Sequence, residues 1–123
     1  MTIAFWCVLI MIIFPYFFTT LAKYSKHFDN HDPRGYLQKV TGWRKRADYV
    51  QLNSFESTPA FGIAVIIAHL AHAPQPILDK LAVVFVFSRL IYAICYLCDK
   101  DLLRTLFWAI GMICVFGIFY IAY

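Results

Sequence analysis

Four long apolar stretches, separated by polar connections, set the pattern of the chain. They cover Ile3–Ala22, Tyr49–His72, Ile77–Leu97 and Leu102–Tyr123. Each has about 20 residues or more, the length an α-helix needs to cross a hydrocarbon core of roughly 30 Å. The pattern predicts four membrane-spanning helices and one long polar loop, Lys23–Asp48.

The short connections indicate how these helices are arranged. The second and third stretches are joined by HAPQPILD, from His72 to Asp79, which is rich in proline. CDKD, from Cys98 to Asp101, joins the third stretch to the fourth. Because short connections join antiparallel neighbours, we expect an all-α membrane protein whose residues 1–123 form a single four-helix bundle.

The composition excludes an ordinary soluble domain. Of the 123 residues, 62% are hydrophobic and only 15% are charged, whereas soluble domains are nearer a quarter charged. So short a chain could not bury this much apolar surface in water, and we expect membrane lipid to be its solvent. The net charge of +4 does not indicate nucleic-acid binding, since the basic residues flank predicted membrane helices rather than a soluble basic surface.

The basic residues predict the orientation. Seven of the eleven Lys and Arg residues lie in the long loop: Lys23, Lys26, Arg34, Lys39, Arg44, Lys45 and Arg46. Lys100 and Arg104 lie on the same side, and the opposite side has Lys80 alone. By the positive-inside rule the loop is cytoplasmic and both termini are non-cytoplasmic. We expect a multi-pass integral membrane protein, of a bacterial inner membrane.

Polar residues at the start of the second stretch require a reason. Asn53 and Glu56 are three residues apart on one helix face, and Arg46 is two turns earlier on that face. Gln51 points elsewhere, toward a neighbouring subunit. A charge near the bilayer centre costs about 2.5–3.5 kcal/mol on insertion scales, which makes such residues functional candidates. The structural alternative is that Glu56 pairs with an arginine simply to hold the bundle together.

A second polar face lies on the third stretch. Arg89, Tyr92 and Tyr96 follow i, i+3, i+7 spacing, and Arg89 is deep enough to need a carboxylate partner, for which Glu56 is the candidate. The tyrosines could instead be interfacial anchors. Arg104 could be another such anchor or a cation that stabilises an anion. Together these cations, amides and one carboxylate suit a small polar ligand with carboxylates and an amine.

The cysteines do not indicate a metal or redox site. Cys95 and Cys98 form C-x-x-C near the end of a predicted span, without a second pair at ligand spacing. We predict packed, reduced thiols and no metal.

The motifs resemble those of the MAPEG family, the membrane-associated proteins of eicosanoid and glutathione metabolism. Arg46-Ala47 precedes Asn53-x-x-Glu56 and then Pro59-x-Phe61, and Arg89-x-x-Tyr92-x-x-x-Tyr96 is similar to the third helix of the family. Length, spans and loop sizes also agree, and the chain is identified as a small, bacterial-type member.

The resemblance implies a homotrimer that binds glutathione, as co-substrate, between neighbouring subunits on the cytoplasmic side. Family residues that hold the tripeptide match six positions here: Gln51, Asn53, Glu56, Arg89, Tyr92 and Tyr96. Arg104 matches an arginine that stabilises the thiolate, which attacks an apolar substrate. Either Lys23 or Lys26 matches a basic residue at the end of the first helix.

Two departures from the family pattern affect the ligand site. Well-studied glutathione-using members carry an arginine one turn before the asparagine, where this chain has Tyr49. Arg46, a turn further out, is our candidate to compensate for it in glutathione binding. The spacing from Tyr96 to Arg104 also varies in the family, so the match of Arg104 requires a gap.

Three functions are therefore open. The first is a glutathione transferase or peroxidase acting on apolar electrophiles. The second is a non-enzymatic binder of a lipid or amphiphile in the subunit clefts, which the tyrosine at position 49 favours. The third is a small multidrug or ion transporter, which would need a buried acid facing an open pathway, whereas Glu56 has arginine candidates close by.

Overall fold

The computed structural model describes all 123 residues, and its only regular secondary structure is α-helical. It has five helices: α1 (Ile3–Lys23), α2 (Pro33–Lys39), α3 (Trp43–Leu70), α4 (Gln75–Leu97) and α5 (Asp101–Ala122). The four long helices lie over the four predicted stretches, although α3 begins at Trp43 rather than near Tyr49. The all-α class is confirmed.

The predicted loop contains a helix that the apolar pattern did not indicate. Asp32 caps α2, because its carboxylate accepts a hydrogen bond from the Gly35 amide at 3.1 Å, and Pro33 occupies the first helical position. An acidic N-cap followed by proline at N1 is a helix-start signal. The helix remains short, with Lys39 as its last residue.

Three of the helices, α1, α4 and α5, are long and apolar enough to cross a membrane. The 28-residue α3 is long enough but too polar, since its first half carries charged residues. The outer surface is apolar: the side chains of Ile13, Phe87 and Phe116 are 57%, 60% and 65% exposed. A surface of this kind is stable in lipid rather than in water.

The helices pack so that their ends are tied together at both sides of the bundle. At one side, the Asp79 carboxylate of α4 accepts hydrogen bonds from the backbone amide of Ala4 and from Gln75 Nε2, both at 2.8 Å. The carboxylate thereby satisfies a free amide at the start of α1. Midway, the rings of Phe61 and Phe85 stack with their centroids 4.1 Å apart, which joins α3 to α4.

At the other side, three consecutive basic residues of α3 form what we call the basic clamp: Arg44, Lys45 and Arg46. Arg44 Nε donates to the carbonyl of Tyr24 at 2.8 Å, Lys45 Nζ to that of Leu37 at 2.8 Å, and Arg46 Nε to that of Leu97 at 3.2 Å. These carbonyls lie at or near the ends of α1, α2 and α4, where helical partners are missing. The clamp therefore satisfies the C-terminal ends of three helices.

The cysteine prediction is correct only in part. All four thiols are free, but Cys95 is buried whereas Cys98 is exposed beyond the end of α4. Cys98 therefore does not pack into the bundle as predicted.

Candidate functional site

The centre of the site is Arg89, whose side chain is only 1% exposed. Its Nη2 donates a hydrogen bond to Asn53 Oδ1 at 2.5 Å, which links α4 to α3. The guanidinium also lies over the ring of Tyr92, 4.1 Å from its centroid. The Nε atom is buried without a hydrogen-bond partner. One hydrogen bond and one aromatic ring therefore hold this buried cation.

Glu56 does not pair directly with Arg89, and this prediction was wrong. The Glu56 side chain is exposed in the protomer, and its Oε2 accepts from Asn53 Nδ2 at 3.5 Å. The only ion pair in the chain is that of Lys45 with Asp48. Asn53 lies between the two charges because its amide offers an acceptor to the arginine and a donor to the carboxylate. Arg89, Asn53 and Glu56 are therefore linked by two consecutive hydrogen bonds rather than by a salt bridge.

Aromatic rings continue the site from Arg89 toward the start of α5. The rings of Tyr92 and Tyr96 meet edge to face with centroids 5.7 Å apart. The Arg104 guanidinium lies over the Tyr96 ring at 4.4 Å. These four residues thus form a ladder, with the two tyrosine rings in the middle and one arginine at each end. The four side chains lie close together in the structure, and both tyrosines contact arginines.

Arg46 and Tyr49 lie on the other wall of a cleft beside this ladder. The Tyr49 ring is 6.1 Å from that of Tyr96, and Lys45 Nζ lies 5.3 Å from the Tyr49 centroid. The cleft has a volume of about 480 Å³. Its lining consists of Val40, Thr41, Gly42, Lys45, Arg46, Tyr49, Tyr96, Asp99 and Arg104. Arg46 reaches this cleft, but its Nε is engaged by the Leu97 carbonyl, so it is a weaker substitute for a free arginine at position 49.

Gln51 lies apart from this group, as predicted from its position on the helix. It lines a separate cleft of about 380 Å³ between α2 and α3, together with Arg34 and Asp48. The Oε1 atom of Gln51 is buried without a partner. Burial raises the pKa of the Asp48 carboxyl, and the nearby Lys45, at 3.8 Å, opposes this shift.

Lys23 and Lys26 line a third cleft with Arg44, of about 720 Å³, at the end of α1. Lys23 Nζ lies 5.4 Å from the centroid of the Phe28 ring. Within one protomer, neither lysine lines the clefts that hold Gln51 or Arg104.

Sequence reasoning missed two features of the site. Asp48 lies beside Gln51, yet it looked like the last residue of a polar loop. Gly111 of α5 lies against Ser88 and Arg89, but it resembles any small residue in an apolar helix. The signal for Asp48 was available, since it precedes Gln51 by about one helical turn.

The fold, with apolar helices long enough to span a membrane and an apolar outer surface, defines an integral membrane protein. The chain belongs to the MAPEG family, because the model of that family matches residues 3–123, nearly its whole length. This family is generally one of membrane proteins associated with glutathione. Searches of curated proteins and of solved structures gave no significant match.

Proposed function

We propose that the protein binds glutathione and activates its thiolate toward apolar electrophiles or hydroperoxides, as a membrane-bound transferase or peroxidase. The observation that carries this proposal is the continuous array from Glu56 through Asn53 and Arg89 to the tyrosines and Arg104. A buried arginine with a single hydrogen bond is costly to maintain for stability alone. An anionic ligand would supply the partners that the arginine lacks.

Each charged or polar group of the tripeptide is bound by side chains of complementary charge or hydrogen-bonding type. Arg89 and Arg46 attract the carboxylates of the tripeptide, and Glu56 attracts its ammonium group. Asn53 and Gln51 bind amide groups, since each amide side chain both donates and accepts. Tyr92 and Tyr96 donate hydroxyl hydrogen bonds and exclude water from the arginines.

Arg104 stabilises the thiolate. A free thiol with a pKa of about 8.5 is ionised by only a few per cent at neutral pH, and a nearby guanidinium favours the anion. The Arg104 side chain has no hydrogen bond or ion pair in the protomer, and its guanidinium lies over the face of Tyr96. Its donors are therefore free to bind a sulfur anion, and apolar substrate enters from the adjoining lipid.

We further propose a homotrimer in which the 1–123 chain is a single four-helix membrane domain with four spans. The polarity of α3 supports this, because a helix with an exposed Glu56 is stable in a bilayer when neighbouring subunits cover it. Gln51 and Asn53 face different sides of α3, so one ligand between two subunits can contact both. The clamp and Arg104 lie at one end of the bundle, which supports a cytoplasmic loop and non-cytoplasmic termini.

The experiment that tests this function measures binding and ionisation of glutathione separately. Calorimetry on the protein in detergent should show submillimolar binding, and ultraviolet difference spectra should show bound thiolate near neutral pH. Arg104→Ala should abolish the thiolate signal and reduce transfer to chlorodinitrobenzene by about 10²–10³-fold, as for loss of one transition-state donor. Lys100→Ala is the matched control, since Lys100 is a nearby exposed cation without a place in the ladder.

Full activity of Arg104→Ala would assign ionisation to another arginine. Absence of both binding and thiolate in the unmodified protein would refute the enzymatic proposal.

A second function, non-enzymatic binding of a lipid or amphiphile, is favoured by one observation. Position 49 has a tyrosine, and Arg46 donates Nε to Leu97 rather than standing free in the cleft. The site then has one fewer free cation for a tripeptide carboxylate. This function predicts that a detergent-like anionic amphiphile binds more tightly than glutathione, which competition calorimetry can measure.

A further inference from the structure

Gly111 lies on α5 where that helix approaches the buried arginine of α4. An added Cβ at this position would lie 3.2 Å from Ser88 Oγ, 3.6 Å from Phe85 Cε2 and 3.7 Å from Arg89 Cδ. The first distance is tighter than ordinary van der Waals contact. Any side chain larger than hydrogen therefore requires the α4 residues, or α5 itself, to move.

The neighbours of Gly111 are held in place and cannot yield easily. Ser88 Oγ donates to the carbonyl of Phe85 at 2.6 Å, and the Phe85 ring stacks on Phe61 of α3. The side chain of Arg89 is the remaining neighbour, and its Nε has no hydrogen bond to resist a displacement. The new methyl group would press on Ser88 Oγ, and a shift of α4 at Ser88 would carry the adjacent Arg89 and its bond with Asn53.

The same helix register carries the effect to the other end of the ladder. Gly111 is seven residues after Arg104, and Arg89 is seven residues before Tyr96, about two helical turns in each case. Because α4 and α5 are antiparallel, the two helices meet at two levels about two turns apart. Gly111 lies against Arg89 at one level, and Arg104 lies against Tyr96 at the other. The separation of the helices at Gly111 thus also sets the contact of Arg104 with the Tyr96 ring.

We propose that Gly111 is a positioning residue for both arginines, acting through the close approach of α5 to Ser88 and Arg89. It contacts no ligand itself. The consequence for ligand affinity rests on the proposed glutathione function, whereas the consequence for the Arg89–Asn53 hydrogen bond does not.

The test compares two glycines of one helix. Gly111→Ala should weaken glutathione binding about tenfold, the effect of roughly 1.4 kcal/mol of overpacking at the site. Gly117→Ala is the matched control, because its Cβ would meet only Leu81 at 3.5 Å, and it gains the same helix propensity. Adding Ser88→Ala to Gly111→Ala removes the atom nearest the new methyl group and should restore most of the affinity.

A double-mutant cycle tests the proposal without glutathione. The thermal destabilisation by Gly111→Ala should be smaller in an Asn53→Ala background, because the hydrogen bond it disturbs is already absent. Gly117→Ala and Asn53→Ala should be additive. Additive effects for Gly111→Ala, or affinity equal to that of Gly117→Ala, would overturn the proposal. If the unmodified protein binds no glutathione, the proposed function fails and this cycle alone decides the role of Gly111.

Discussion

Removing the Asn53 side chain should destabilise the protein more than neutralising Glu56. In Asn53→Ala, Nη2 of the 1%-exposed Arg89 loses its acceptor, and Nε already has none, so only the Tyr92 ring remains beside the charge. A buried charged donor left unsatisfied costs about 1–3 kcal/mol or more. Hydrogen bonds between membrane helices average only about 0.6 kcal/mol, because the unfolded state in the membrane also finds partners. We therefore expect about 2 kcal/mol, roughly a 30-fold change in the unfolding equilibrium.

Glu56→Gln is the control. The Glu56 carboxylate is exposed in the protomer and accepts one hydrogen bond, from Asn53 Nδ2 at 3.5 Å, which a glutamine oxygen can also accept. For the monomer in mixed micelles, in which no neighbouring subunit covers Glu56, the cost should stay below about 0.5 kcal/mol, as for most exposed substitutions. The assay is unfolding by SDS titration in mixed micelles, followed by helical circular dichroism.

An equal loss of stability in the two variants would refute this reasoning. It would mean that Arg89 and Glu56 attract each other directly and that Asn53 does not mediate between them. A loss below about 0.5 kcal/mol in Asn53→Ala would show that water or lipid headgroups reach Arg89.

Two further substitutions test the clefts on either side of α3. Tyr49→Arg should strengthen glutathione binding, measured by calorimetry, by up to about tenfold. The new guanidinium would face the cleft without a competing partner, whereas Arg46 Nε is bonded to the Leu97 carbonyl. Unchanged or weaker binding would contradict the role given to position 49. Asp48→Asn should stabilise the protein more at about pH 7 than at about pH 4. Burial raises the pKa of Asp48 in the folded state, so its favourable contribution is present below the unfolded pKa and is lost as pH rises through the folded pKa. If the free energy of unfolding changed with pH in the same way in the variant and the unmodified protein, Asp48 would not be the source of the pH dependence.

The sequence was sufficient for the helical class, because apolar runs of membrane length are local properties. The i, i+3, i+7 spacing likewise placed Arg89, Tyr92 and Tyr96 on one face of a helix. The sequence was not sufficient to identify the side chain that pairs with Arg89. Helix spacing places Asn53 and Glu56 on one face but does not give the depth at which that face meets α4. A carboxylate is the usual partner of a buried cation, which favoured Glu56. The structure selects Asn53, which lies closer to Arg89 and is bonded to it.

The start of α2 and the role of Gly111 differ in whether the local sequence could reveal them. The start of α2 was readable, since Asp32 and Pro33 form an N-cap and N1 pair, but a helix of this length has no apolar run to draw attention. Gly111 was not readable, because only the antiparallel register of α4 and α5 distinguishes it from Gly117. Local signals were therefore present for the first and absent for the second.

The basic clamp has a consequence for the order of events during synthesis. Its acceptors at Tyr24 and Leu37 precede α3 in the chain, whereas Leu97 follows it. Arg44 and Lys45 can therefore close on their carbonyls as soon as the start of α3 leaves the ribosome. Arg46 must wait for about 50 further residues, until α4 is complete. Of these three adjacent side chains, two therefore stabilise contacts within the part of the chain made first. The third can form its hydrogen bond only after α4 has been made.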